Sequence, residues 1–273
     1  MFIKKKIDIA ILGLGAIGQK HIKSLLLNKY YNIKAVVDKN YSKNTSKILK
    51  NNNIKKYSNI DKLIKREKLD YVSICLPSGL HYQHIIKILK SNINVICEKP
   101  LVLKSRQIRS INKLKSRTKL NVYEVKQLRY SNLINKFKDF YLSNKFGKIN
   151  FINFNIFLNR SSKYYKKNSW RGTLKLDGGV LFNQLSHYFD IINYIFNPKK
   201  IKEIKFISNK GKNIEFEDSG AIIFKFNNKT LVNLNFSIKS YKKNYMTMLN
   251  SMFDKANISI EFSKLNTVSY CEI

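Results

Sequence analysis

Along the first 125 residues, short apolar runs alternate with stretches whose apolar positions recur every three or four residues. Residues 7–12 are apolar apart from Asp8, and further runs follow at 33–37, 71–76 (YVSICL), 94–97 (NVIC) and 120–125. Runs of this length, rich in Ile and Val and bounded by Gly, Pro, Asn or Asp, predict buried strands. Between them, residues 42–50, 60–68, 80–90 and 104–116 have helical spacing; Ile85, Ile86 and Leu89, for example, share one face. A further amphipathic stretch follows the first run and ends near Leu27. Regular alternation of strand and helix predicts right-handed crossovers and a parallel, doubly wound sheet.

From about residue 126 the period changes. A helix is predicted at 133–142, and residues 149–158 alternate Ile152, Phe154, Ile156 and Leu158 with Asn153 and Asn155, which predicts a strand buried on one side. A polar loop with Trp170 and Arg171 precedes a strong helix at 181–196, which Asn197 and Pro198 should end. Strands then dominate, at 201–208, 221–227, 230–238, 245–251, 256–262 and 267–271, with residues 227–229 (NNK) as a hairpin turn. The expected organisation is an α/β unit over residues 1–125 and an α+β unit over 126–273. The second would have an open, mainly antiparallel sheet with helices on one face. No internal repeat or linker interrupts the chain.

Ligands of doubly wound sheets sit at the carboxyl ends of the strands, here residues 13–18, Asp38, 76–78, 98–100 and 124–129. The first of these ends carries Gly13, Gly15 and Gly18, spaced G-x-G-x-x-G. The first glycine makes the turn, the second lets backbone approach a pyrophosphate, and the third allows close helix-to-strand packing. The helix that starts at Ala16 and Ile17 would aim free N–H groups and its positive end at the phosphates. Asp38 ends the second strand, twenty positions after Gly18. A carboxylate there accepts the adenosine ribose hydroxyls and repels a 2′-phosphate, so the expected cofactor is NAD over NADP. Residues 1–125 therefore read as a Rossmann unit.

Composition changes this picture little. The chain has 273 residues, 44% of them hydrophobic, ample for a core. Its formal charge is +35, from 52 Lys+Arg against 17 Asp+Glu, and such a balance raises nucleic acid or an anionic membrane as a partner. The lysines are scattered through every predicted element instead of forming a stripe, and abundant Lys, Asn and Ile is what an A+T-rich genome produces. Neither nucleic acid nor membrane is therefore expected, although anionic small molecules would be attracted. Cys75, Cys97 and Cys271 form no C-x-x-C pair, which fits a reducing, cytoplasmic compartment. The basic, then apolar start imitates a signal peptide, but Asp8 interrupts it and no small-residue cleavage site follows. No stretch reaches the roughly 18 uninterrupted apolar residues of a membrane helix. His81 and His84 lack Cys, Asp or Glu at metal-binding spacing, so no metal is expected.

Two further clusters carry a resemblance. One is Cys97-Glu98-Lys99-Pro100, after a predicted strand; the other runs from Asp177-Gly178-Gly179 through Asn183 and His187 to Asp190. With the glycine motif and Pro77-x-x-x-His81, and in the same order along nearly the whole chain, they resemble the glucose-fructose oxidoreductase/inositol dehydrogenase/MocA family of NAD(P)-dependent oxidoreductases. The resemblance implies Lys99 beside the nicotinamide and bonded to the reacting oxygen, its pKa lowered by partial burial and positive surroundings. It implies His187 as companion acid/base, with Asn183 one turn earlier on the same face. Many members have Asp at the position of Asn183; Asn orients a hydroxyl but takes no proton, so the proton work shifts to Lys99 and His187.

The cofactor contacts so implied are Gly13, Gly15, Ala16, Ile17, Gly18, Asp38, Leu76, Pro77, His81, Glu98, Lys99 and Gln127. The substrate contacts are Lys99, Arg129, Trp170, Arg171, Asn183 and His187. Blander readings stand beside several of them: Trp170 as a core anchor, Arg129 as an interdomain ion pair, His187 as a satisfied core histidine. Residues 127–129 (QLR), residues 169–172 (SWRG) and the Asn183/His187 pair look most like the branch that oxidises UDP-N-acetylglucosaminuronate at C3 in surface-polysaccharide pathways. Two departures stand out: the first glycine of the usual triple is Asp177, and the chain ends soon after its last predicted strand, where the resemblance implies a further segment. The implied activity is NAD-dependent hydride transfer at a secondary hydroxyl of a nucleotide-activated sugar, by a homo-oligomer joined through the second sheet. The alternatives are an inositol or free-sugar dehydrogenase, an NAD-binding sensor without catalysis and, last, a nucleic-acid binder.

Overall fold

Alternate residues of the first apolar run feed two different cores. In the computed structural model, which describes residues 5–160, 164–165, 169–197, 201–262 and 267–272, that run is strand β1 (Ile7–Leu12). Ala10 and Leu12 pack with Ile85 and Ile88, whereas Ile9 and Ile11 pack with Ile22 and Leu49. A strand buried on both faces is what helices on both sides of a parallel sheet require. The chain divides into two compact units, Met1–Val125 and Lys126–Ile273.

In the first unit, β1 is followed by α1 (Ala16–Leu26), β2 (Tyr31–Val37), α2 (Lys43–Asn51), β3 (Lys55–Tyr57), α3 (Ile60–Arg66), β4 (Tyr71–Ile74), α4 (His81–Lys90), β5 (Asn94–Cys97), α5 (Ser105–Thr118) and β6 (Val122–Glu124). All six strands are parallel, in the order β3-β2-β1-β4-β5-β6, so the order reverses between β1 and β4. Local chemistry sets several helix starts. Ser42 Oγ accepts from the Thr45 N–H at the head of α2, and the Asn59 side chain accepts from the Lys62 N–H at the head of α3. Strand β3 has no apolar pattern to announce it; two of its three residues are exposed lysines, and it forms only because Ala35 to Val37 offers a free edge to pair with.

The second unit holds α6 (Asn132–Leu142), β7 (Ile149–Phe157), α7 (Gly179–Asn183), α8 (Ser186–Phe196), β8 (Ile201–Lys210), β9 (Glu217–Phe226), β10 (Leu231–Ser237), β11 (Met246–Phe253), β12 (Asn257–Glu261) and β13 (Thr267–Glu272). The seven strands run in the order β13-β12-β11-β7-β10-β9-β8. Among them β7 and β10 pair in parallel and the other neighbours antiparallel. Ile152, Phe154 and Ile156 of β7 join Phe137 of α6 and Tyr188 and Ile191 of α8 in one core. The opposite face carries an asparagine ladder, in which Asn233 Nδ2 donates to Asn153 Oδ1 (2.9 Å) and Asn235 Nδ2 to Asn155 Oδ1 (3.0 Å). These pairs satisfy the amides between β7 and β10 and keep that face polar at its centre.

The strong helix expected at 181–196 is two helices. The Gln184 and Leu185 N–H groups both donate to the Val180 carbonyl at 2.9 Å. The second bond spans five residues instead of four and breaks the helical ladder, while Leu185 is driven fully into the core. Helix α8 ends at Asn197, whose φ of 39° makes a left-handed cap; Pro198, expected to stop it, lies outside the described residues. Among the described residues no helix is long and apolar enough to cross a membrane.

Candidate active site

The three glycines of the first loop have three separate explanations in space. Gly13 has φ +94°, and a Cβ there would lie 2.8 Å from the Cys75 carbonyl oxygen. A Cβ on Gly18 would lie 1.9 Å from the Gly13 carbonyl oxygen, so α1 can approach the loop this closely only without a side chain. Gly15 is different: its φ is an ordinary −61° and a Cβ would meet nothing within 4 Å. No packing demands glycine at this exposed residue, which caps α1 without a side-chain hydrogen bond. The open space beside the helix's unsatisfied N–H groups fits the close approach of a pyrophosphate. Ala16 and Ile17 are exposed in the first turn of α1. Asp38 closes the loop from the side: its Oδ2 accepts from the Leu14 N–H at 2.5 Å and its Oδ1 from the Asn40 N–H at 3.1 Å. The carboxylate thus stands at the mouth of the loop, where a ribose bound to this face would meet it.

At the ends of β4 and β5, Leu76 and Pro77 are half-buried, and Lys99, also half-buried, precedes a cis peptide to Pro100. His81 differs from the expectation that it faces a cofactor. It is completely buried, with Nδ1 2.8 Å from the Pro100 carbonyl and Nε2 2.8 Å from the Leu76 carbonyl. Both ring nitrogens are therefore turned to backbone, and the imidazole clasps the two strand-end segments together. Glu98 is likewise internal: Oε1 lies 3.0 Å from His21 Nε2 and Oε2 accepts from the Lys99 N–H at 3.2 Å. His21 Nδ1 lies 2.9 Å from Ser73 Oγ. Burial alone would lower the His21 pKa, but the neighbouring Cys75 and Glu98 outweigh it and push the imidazole up to about 10. Glu98 is lowered despite its burial, by hydrogen bonding and attraction to His21. An imidazolium–carboxylate pair thus ties the glycine-loop helix to the residue that precedes Lys99. The sequence reading missed His21, although its place three residues after Gly18 puts both on the sheet-facing side of α1.

In the second unit Asp177, which is 1% exposed, holds one of the remaining candidates, Asn183. Its Oδ2 accepts from the Gly172 N–H at 3.0 Å, and its Oδ1 accepts a short hydrogen bond from Asn183 Nδ2. Asp177 and Asn183, each unlike the residue the resemblance implies at its position, are therefore partners: the carboxylate at 177 orients the Asn183 amide. His187 is half-buried in the first turn of α8. Asn183 ends α7, so the two lie on successive helices instead of one.

Arg129 does not stand as a hook for a substrate anion. Its Nε and Nη2 donate to Asp190 Oδ2 and Oδ1 at 2.8 and 2.6 Å, a bidentate pair inside the second unit. Arg171 stacks on Trp170 and Tyr164, 4.6 and 4.7 Å from the ring centroids. Gln127 is exposed at the start of the 3-10 turn Gln127–Tyr130. Among the described residues no three His, Cys, Asp or Glu side chains gather where a metal could sit.

Residues 7–125 match the model of an oxidoreductase family with an NAD-binding Rossmann fold, and residues 134–259 match the GFO/IDH/MocA C-terminal domain. Among solved structures, the WlbA dehydrogenase of Chromobacterium violaceum, in complex with NADH and UDP-GlcNAcA, superposes with a TM-score of 0.91 at 24% identity, over 100% of this chain and 79% of that one. The WlbA dehydrogenase of Bordetella pertussis, with the same ligands, gives 0.91 at 21% identity over the same shares. At such identities the likeness speaks to the fold. Glucose-6-phosphate 3-dehydrogenase of Bacillus subtilis is 26% identical over 235 residues, 83% of this chain and 66% of that protein. The chain spans from 33% to 66% of the length of three curated relatives it matches.

Proposed function

From a chain that belongs to the GFO/IDH/MocA oxidoreductase family and carries its NAD-binding Rossmann fold, we propose an NAD-dependent dehydrogenase acting on a secondary hydroxyl or keto carbon of a sugar. The sugar is nucleotide-activated, of the UDP-N-acetylhexosaminuronate kind used in surface-polysaccharide synthesis. The observation that carries the cofactor half of this reading is the open cradle at Gly15, bordered by the anchored Asp38 carboxylate. The substrate half is supported by the two WlbA neighbours, which bind UDP-GlcNAcA. The Bacillus subtilis relative, a glucose-6-phosphate 3-dehydrogenase by name, supports a sugar phosphate as the second reading.

In this reading NAD, when bound, supplies the hydride acceptor. The loop from Gly13 to Gly18 would hold the pyrophosphate and Asp38 the adenosine ribose, with Leu76 and Pro77 as further contacts. Glu98 and His81 act from behind, holding the end of β5 in place. Lys99 would bond the reacting oxygen and take the hydroxyl proton, and His187 is the companion acid/base that the resemblance implies. Asn183, oriented by Asp177, positions the hydroxyl. The three cysteines are free thiols, which supports a cytoplasmic enzyme. The face of the second sheet away from α6 and α8 exposes Ile223, Leu231 and Met252 around the asparagine ladder, which supports a homo-oligomer joined there.

A screen of NAD reduction against UDP-uronates, neutral UDP-sugars, sugar phosphates, free sugars and inositols tests the reading. Turnover of an anionic or nucleotide-linked sugar is expected; turnover of inositols or neutral free sugars alone would overturn the substrate assignment. Lys99→Ala should lower kcat by about 10²–10⁴-fold and leave NAD affinity within about twofold, because the pyrophosphate and ribose contacts carry most of the cofactor's binding. Undiminished turnover would remove Lys99 from the chemistry.

A further inference from the structure

Two arginines of the second unit share one aromatic ring. The guanidinium carbon of Arg160 lies 5.3 Å from the centroid of Tyr164 and that of Arg171 lies 4.7 Å from the same centroid. Arg160 Nη1 donates to the Asn159 carbonyl (2.8 Å) and to Asn244 Oδ1 (3.2 Å), and its Nη2 donates to Gln184 Oε1 (2.8 Å). All three acceptors are neutral. The Nε atoms of Arg160 and Arg171 are both buried with no hydrogen-bond partner. Asp177 is close enough to act, together with both arginines, on the Tyr165 hydroxyl, and its oxygens accept from the Gly172 N–H and Asn183. Residues 159–176 contain six Lys or Arg and no Asp or Glu. Arg129 shows the ordinary outcome for a partly buried arginine in this unit, a bidentate carboxylate.

Two guanidiniums brought to one ring with only neutral acceptors repel each other, and aromatic faces offset a small part of that cost. Each guanidinium also keeps a buried N–H without an acceptor, which an added negative group would satisfy. Guanidinium forks suit planar carboxylates and phosphates, to which charge-assisted bonds are about twice as strong as neutral ones. Gln184, which accepts from Arg160, directly follows Asn183 at the end of α7. An anion held here would therefore lie close to Asn183, the candidate residue that orients the hydroxyl.

We propose that Arg160 and Arg171, mounted on Tyr164, form a binding site for an anionic group, a carboxylate or a phosphate, carried by the ligand of the second unit. That this ligand is the sugar substrate rests on the function proposed above; the site itself rests on the arginines alone.

Calorimetric titration of the full chain, saturated with NADH, with glucuronate, glucose 6-phosphate, UDP, UDP-glucuronate and glucose tests it. The wild type is expected to bind at least one anionic compound ten or more times more tightly than glucose. Arg160→Gln and Arg171→Gln are each expected to weaken that compound tenfold or more without changing NADH affinity, which serves as the folding control. Loss confined to glucuronate and UDP-glucuronate assigns a carboxylate; loss shared by glucose 6-phosphate and UDP assigns a phosphate. Arg171→Lys, which keeps the charge without the fork, should lie in between and replaces any Gln variant that fails to fold. Anion affinities equal to wild type in folded variants overturn the site, even if a sugar is turned over. Anion binding that the variants lose, in a chain that turns over no sugar, upholds the site and refutes the dehydrogenase reading.

Discussion

Replacing Gly15 and Gly18 by alanine, one at a time, separates a glycine kept for a ligand from a glycine kept for the fold. At Gly18 the new Cβ would lie 1.9 Å from the Gly13 carbonyl oxygen, well inside the 3.0 Å that Cβ atoms respect, so α1 and the loop must part by about 1 Å. Overpacking against backbone costs up to about 3 kcal/mol, while alanine within a helix returns about 1 kcal/mol. The net loss of about 2 kcal/mol, at roughly 4 °C per kcal/mol for a unit of this size, lowers Tm by about 8 °C. At Gly15 the backbone is extended and no atom lies within 4 Å of the added methyl. There alanine only reduces the entropy of the unfolded chain, worth about 0.4–1 kcal/mol, so Tm stays level or rises by a few degrees. NAD affinity should nevertheless fall at least tenfold, about 1.4 kcal/mol, because the methyl occupies the pyrophosphate's approach. Thermal melts and NAD titrations of the two variants decide it. Wild-type NAD affinity in Gly15→Ala would refute the cradle, and a wild-type Tm in Gly18→Ala would refute the close approach of α1.

Asp38→Asn keeps an acceptor for the Leu14 N–H but removes the charge; the ratio of NADPH to NADH affinity should rise by about tenfold or more, and an unchanged ratio would show that the carboxylate does not select against a 2′-phosphate. The His21–Glu98 pair makes stability depend on pH. His21 is raised from 6.5 to about 10 in the folded chain, so its contribution is complete below about pH 6.5 and is lost as pH rises towards 10. Glu98, lowered from its ordinary 4.5, contributes above that value and loses its contribution as pH falls below it. Urea midpoints of wild type and His21→Gln should therefore lie furthest apart near pH 5–6 and converge towards pH 10, whereas a gap independent of pH would mean that the imidazole carries no charge.

The periodicity of apolar residues was enough to read both sheets, because each buried strand or helix face must repeat at its own geometric period whatever it packs against. The glycine loop, Asp38 and the residues 98–100 were legible for a related reason: a turn, a carboxylate and a strand end are each local. Other features depend on residues distant in the chain. Strand β3 carries no pattern of its own and exists because β2 has an open edge. The break between α7 and α8 follows from where Leu185 finds its core.

The side-chain commitments depend on distant residues as well. Arg129 looked like a hook until Asp190, sixty-one residues later, took both ends of its fork. His81 looked like a ligand contact until the Leu76 and Pro100 carbonyls took its two nitrogens. Arg160 and His21 were passed over because nothing beside them in sequence marks them. What the sequence alone determined was most of the strands and helices and the glycine turn that follows β1. What only the tertiary structure decided was which charged side chains are spent on one another and which, like Arg160 and Arg171, are left without a carboxylate. Backbone periodicity is written in neighbouring residues, whereas charge compensation is a property of groups that meet only after folding.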